Sequence, residues 1–139
     1  MIYLAQPYNH PDKRIKVARF VEMMKFMAYL VKSGGKTPFP IFSPIVHWHH
    51  VAHKHDFPKD FSFWQHFNEH MLRRATGIYV LQLDGWKESK GLHHELVYSK
   101  GLCLPCVAVH KVNLEYVFTQ VSNIQTLIEE MTVGKDNKE

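Results

Sequence analysis

Residues 77–95 read Gly-Ile-Tyr-Val-Leu-Gln-Leu-Asp-Gly-Trp-Lys-Glu-Ser-Lys-Gly-Leu-His-His-Glu. The first seven are the clearest buried strand in the chain, an apolar run broken only by Gln82. It ends in Asp84-Gly85-Trp86, a loop by composition. Ser89 then opens a helix that runs to Lys100 and stops at Gly101, and Pro105 to His110 is another apolar strand. Strand, loop, helix and strand in this order are the unit of a parallel sheet covered by helices.

The flanking sequence extends the same alternation. Met1 to Ala5 is a short buried strand that halts at Gln6-Pro7. From Asp12, a candidate N-cap, to Lys32 the apolar positions Ile15, Val17/Ala18, Val21, Met24, Met27/Ala28 and Val31 recur at helical spacing, with Gly34-Gly35 as the stop. Pro38, Pro40 and Pro44 leave room for only a short strand around Ile41–Ser43, and the histidine-rich segment that follows reads as a long loop. Phe61 to Ala75 returns to helical period, with Trp64, Phe67, Met71 and Leu72 on one face. Tyr116 to Gln120 is a fifth strand, and Ser122 caps a last helix over Asn123–Met131. These elements predict an α/β domain over residues 1–133, flavodoxin-like (Rossmann-like), built on a doubly wound five-stranded parallel sheet with helices on both faces. Residues 134–139 form a charged, flexible tail. Such sheets bind ligands beyond the carboxyl ends of their strands. That rule selects the loop Gln6-Pro7-Tyr8, the loop after Ser43, and Asp84 to Ser89.

Composition bounds the function. With 139 residues, 45% hydrophobic and 22% charged, the chain can bury a core and is not disordered. No apolar run approaches the roughly 20 residues of a membrane span, and no basic-then-apolar leader is expected before Gln6-Pro7. A net charge of +4 without a basic, aromatic-interleaved stripe suits a small anionic ligand and argues against nucleic acid. Cys103 and Cys106, with no second pair, predict a reducing cytoplasm and packed thiols.

Ser89 and Gly91 stand where unpaired N–H groups and the helix dipole favour an anion such as phosphate. Glu95 follows six residues after Ser89, on a helix anchored by Leu92, Leu96 and Val97, and can project into the cleft. A carboxylate there suits attack on an oxocarbenium-like sugar carbon. Spacing alone is equally satisfied by an N-cap serine and a solvated helix glutamate.

Ser89-x-Gly91-x-x-x-Glu95 after an apolar strand, followed by a helix and Gly101-x-x-x-Pro105, resembles the nucleoside 2-deoxyribosyltransferase-like superfamily. Ile2-Tyr3-Leu4-Ala5-Gln6-Pro7-Tyr8 is similar to its first strand and loop. Phe42 to His47, Phe63-Trp64 and Gly85-Trp86 resemble an uncharacterised, often phage-borne branch. The resemblance implies that Glu95 is a nucleophile forming a glycosyl-enzyme intermediate. It implies that Ser89 binds a 5′-phosphate, where base-exchanging transferases carry aspartate. Gln6, Pro7, Tyr8, Gly91 and His47 would then line the substrate. The substrate would be a nucleoside 5′-monophosphate, with no cofactor and no metal. A homodimer or higher homo-oligomer is also implied, and the aromatic helix Phe61 to Ala75 offers it apolar surface. The family's usual acidic residue before the third strand is replaced by Asn68, whose amide cannot shuttle a proton. Asp84 or a histidine would have to substitute, or the site binds without efficient turnover. Base exchange between deoxynucleosides and a catalytically weak nucleotide-binding module are the alternative functions.

Five of the eleven histidines are His47, His49, His50, His53 and His55. They lack a nearby cysteine or a His-Glu-x-x-His pattern, so a substrate-covering loop that titrates near neutral pH is expected rather than zinc.

Overall fold

The computed structural model describes residues 1–33, 40–58 and 61–133. The Gly34-Gly35 stop and the tail 134–139 lie outside the described residues. The order of elements is β1 (Ile2–Ala5), α1 (Lys13–Lys32), β2 (Ile41–Phe42), α2 (Pro44–Lys54), α3 (Phe61–Leu72), β3 (Gly77–Leu81), a short 3₁₀ turn (Trp86–Glu88), α4 (Lys90–Gly101), β4 (Cys106–Val112), β5 (Glu115–Val121) and α5 (Ile124–Glu130). The five strands form one sheet in the order β2-β1-β3-β4-β5, the flavodoxin-like arrangement, with β1 to β4 parallel.

The fifth strand corrects the all-parallel expectation: β5 pairs antiparallel with β4, with Cys106 opposite Val121 and Val112 opposite Glu115. Only Asn113 and Leu114 join the two strands, and both are left-handed, with φ of 50° and 69°. A two-residue hairpin with two positive φ values returns the chain alongside itself. A parallel partner would require a crossover of a dozen residues or more.

Strand period two divides the core into two layers. Tyr3, Ala5, Ile78 and Val80 face α3, α4 and α5, where Leu72, Leu92, Leu96, Leu127 and Met131 pack on them. Ile2, Leu4 and Leu81 face α1 and its Met23, Phe26 and Leu30. Leu92 and Leu96 anchor α4 as expected, whereas Val97 is exposed.

Helix α1 buries a different face from the one expected. Asp12 is the N-cap and accepts from the Arg14 N–H at 2.9 Å. The buried stripe, however, is Phe20, Met23, Phe26 and Leu30, while Val17, Met24 and Val31 are 49%, 45% and 71% exposed. Both stripes have helical spacing. The one carrying two phenylalanines removes more apolar area from water, and that decides the orientation.

The histidine-rich segment is a helix, not a loop. The Ser43 hydroxyl accepts from the Val46 N–H at 3.1 Å, and Pro44 takes the first helical position, where its missing N–H costs nothing. At the other end, α5 is capped by Asn123, which accepts from Gln125 N, rather than by Ser122. No helix among the described residues is long and apolar enough to cross a membrane.

Candidate functional site

The strand order reverses between β1 and β3, and the loops after β1, β2 and β3 surround one pocket of about 350 Å³ there. Helix α2 supplies one wall through Ile45, Trp48, His49, Ala52 and His53. This is one face of the helix, by its three- and four-residue spacing.

Glu95 forms the floor. It is 6% exposed, lines the pocket, and accepts a short hydrogen bond at Oε2 from the Tyr3 hydroxyl on β1. Burial pushes its carboxyl from 4.5 up to about 8, against the Tyr3 bond, which favours the charged form. Burial, reinforced by Glu95 itself, holds Tyr3 well above its ordinary value, so the phenol stays a donor.

Beside Glu95 lies the start of α4. The Ser89 hydroxyl caps the helix by accepting from Leu92 N at 3.2 Å, leaving the N–H groups of Lys90 and Gly91 before the first helical hydrogen bond. Gly91 has no positive φ, and a Cβ there would meet no atom within 4 Å. Packing therefore does not require glycine. Its absent side chain leaves the backbone N–H groups open to the pocket.

The opposite end is aromatic. Trp48 lies 5.6 Å from Trp64 and 6.3 Å from Phe57 between ring centroids. Three buried polar atoms of pocket residues lack a partner: Trp48 Nε1, Asn68 Oδ1 and Gln6 Oε1. Buried polar atoms without a partner are rare in folded proteins, and three of them cluster in the residues of this pocket. Tyr8 bonds through its hydroxyl to His49 Nδ1, and Lys16 sits 5.0 Å over the Tyr8 ring. Burial, then His50, His53 and Lys16, hold His49 below its ordinary value.

Of the expected site residues, Glu95, Asn68, Ser89, Gly91, Gln6 and Tyr8 meet in this pocket. Three do not line it. Pro7 is buried beside it and accepts from Gln6 Nε2 at 3.1 Å. His47 points to the other side of α2, stacked on Phe67, because it lies two residues from His49 on a helix. Asp84 is exposed, and its carbonyl accepts from Arg19 Nη2 at 3.0 Å. The cysteine expectation holds for one thiol only: Cys106 is buried and pushed up to about 12, whereas Cys103 is exposed. Among the described residues no three His, Cys, Asp or Glu side chains converge on a metal position.

Arg19 has no sequence signature of its role, yet it ties the loops after β1 and β3 together. It donates to the carbonyls of Tyr8 at 3.2 Å, Asn9 at 3.0 Å and Asp84, while its own carbonyl accepts from Gln6 Nε2 at 3.0 Å. Gly85, at φ +86°, makes room for it: a Cβ would stand 2.4 Å from Arg19 Nη2. Gly85→Ala is therefore expected to destabilise by about 1–3 kcal/mol, read as a lower midpoint in thermal unfolding. An unchanged midpoint would show that the clip is slack.

The sequence matches the family described as Domain of unknown function (DUF1937) over residues 1–109, and the chain belongs to it. No curated protein matches the chain significantly. The match covers β1 to β3, α1 to α4, the first four residues of β4 and every residue of the pocket.

Proposed function

We propose that this member of the DUF1937 family cleaves the N-glycosidic bond of a nucleoside 5′-monophosphate, with Glu95 as nucleophile. The reading rests above all on a buried carboxyl group that lines the pocket, held by one tyrosine and, among the described residues, by no cation. A structural glutamate gains nothing from that position. A nucleophile does, because desolvation raises its reactivity toward a carbon that becomes cationic. The open start of α4 suits the 5′-phosphate, and the Trp48–Trp64 wall suits a flat base. Glu95 lines the same pocket, and in this reading it meets the anomeric carbon of the nucleotide.

In the proposed reaction Glu95 displaces the base from C1′ and forms a glycosyl ester. Water then cleaves the ester and regenerates the carboxylate. Nothing in this chemistry calls for a cofactor. The resemblance to the nucleoside 2-deoxyribosyltransferase-like superfamily is proposed on the same residues, Ser89, Gly91 and Glu95.

The test is incubation of the purified protein with each ribo- and deoxynucleoside 5′-monophosphate, with free base followed by chromatography. Release of base from at least one monophosphate, faster than from its nucleoside, is the expected result. Product only when an acceptor base is added would assign base exchange instead. Tight binding with no product would assign a nucleotide-binding module, the outcome favoured by an amide at Asn68.

A further inference from the structure

With Asn68 unable to exchange protons and Asp84 outside the pocket, the departing base still needs a proton. We propose that His94, oriented by Glu69, is the general acid that protonates the leaving base and then the base that activates water. The inference rests on the glycosidase reading above. His94 lines the pocket immediately before Glu95 on α4, and its Nε2 is 2.7 Å from Glu69 Oε2 on α3. Neither side chain is freely solvated, at 24% and 18% exposure.

Glu69 is built to stay anionic. A hydrogen bond from Gln65 Nε2 at 3.0 Å is the largest influence holding its carboxyl below the ordinary value, and His94 and Arg73 act in the same direction. A fixed carboxylate on one imidazole nitrogen sets the tautomer, so that a proton is gained or lost at the other, Nδ1. Among the described residues, Glu69 on α3 and Tyr98 on α4 touch the ring, Arg73 stands beside both, and Lys90 and Glu95 share the pocket wall on α4. Tyr98 lies 6.1 Å from His94 between centroids and accepts from Arg73 Nη1 at 2.6 Å. The ring is thus held by α3 and by its own helix, and His94 lines the cavity.

The protons balance. As a Glu95 oxygen bonds to C1′, the C1′–N pair moves onto the base nitrogen, which takes the Nδ1 proton of imidazolium. In the second step neutral Nδ1 takes a proton from water, whose oxygen bonds to C1′ while the Glu95–C1′ bond breaks. The cycle returns carboxylate and imidazolium.

The test compares two substrates of the same sugar 5′-phosphate. One carries a natural base, and the other a nitrophenolate, which departs without a proton. His94→Ala is expected to slow the natural substrate by roughly 10²–10⁴-fold and the nitrophenyl substrate by less than tenfold. His94→Gln, which can still donate to Glu69 but exchanges no proton, guards against a folding defect and should behave alike. Glu69→Gln, which takes the anionic partner from the ring, should slow the natural substrate more than the nitrophenyl one. Equal slowing of both substrates, or none, would overturn the dyad while leaving Glu95 in place. A wild type that cleaves neither substrate would overturn the glycosidase reading itself, and the dyad with it.

Discussion

Glu95→Gln is expected to lower base release by roughly 10⁴-fold, a loss typical of removing a member of a covalent catalytic group, while the protein becomes more stable at alkaline pH. The two effects share one cause. In the folded protein burial raises the carboxyl from 4.5 to about 8. The fold therefore favours the protonated form, and the stability tied to it is complete below pH 4.5 and lost as pH rises through about 8. Glutamine keeps an acceptor for Tyr3 and never ionises. The unfolding midpoints of the two proteins should coincide near pH 4.5 and separate progressively to above pH 8, glutamine higher. In the wild type kcat/KM should climb with pH toward about 8, as the nucleophile ionises. A variant that turns over normally would remove Glu95 from the chemistry. Midpoints that stay parallel from pH 5 to 9 would show that the carboxyl is not desolvated as described.

Ser89→Asp should abolish the preference for a phosphorylated substrate without harming the fold. Serine and aspartate are comparable N-caps, so the bond from Leu92 N survives and the unfolding midpoint should change little. The new carboxylate, however, stands at the N–H groups proposed to hold a phosphate dianion, and like charges at that range repel. The expected loss in kcat/KM on the monophosphate is a hundredfold or more, with activity on the plain nucleoside comparatively unharmed. Ser89→Ala is a blunter probe, because it also removes a cap worth ~0.5–2 kcal/mol. Retention of the phosphate preference in Ser89→Asp would move the anion site away from α4.

The parallel core and the pocket at its carboxyl end were legible because β1, β3 and the first half of β4 are apolar runs separated by helix-length segments. Ser89 and Glu95 were legible for a local reason: a cap and a carboxylate one to two turns apart on one helix. Three features were not. The face of α1 was ambiguous because two apolar stripes compete, and side-chain size rather than spacing chose between them. Helix α2 was obscured by its prolines, although Ser43-Pro44 is itself a start signal. Reading it so would have placed Trp48, His49 and His53 on one face and removed His47 from the site. The pairs Tyr3–Glu95 and Glu69–His94 join residues 92 and 25 positions apart, and no local pattern announces them.

The Arg19–Gly85 contact ties two distant positions into one unit of inheritance. Any side chain at 85 collides with the guanidinium, and any shortening at 19 releases the carbonyls of Tyr8, Asn9 and Asp84. Neither position can drift alone at low cost. The two should therefore vary together across descendants although 66 positions separate them. The histidine-bearing helix α2 donates nothing to this clip. Its pocket-facing side is thus the part of the pocket left to diversify.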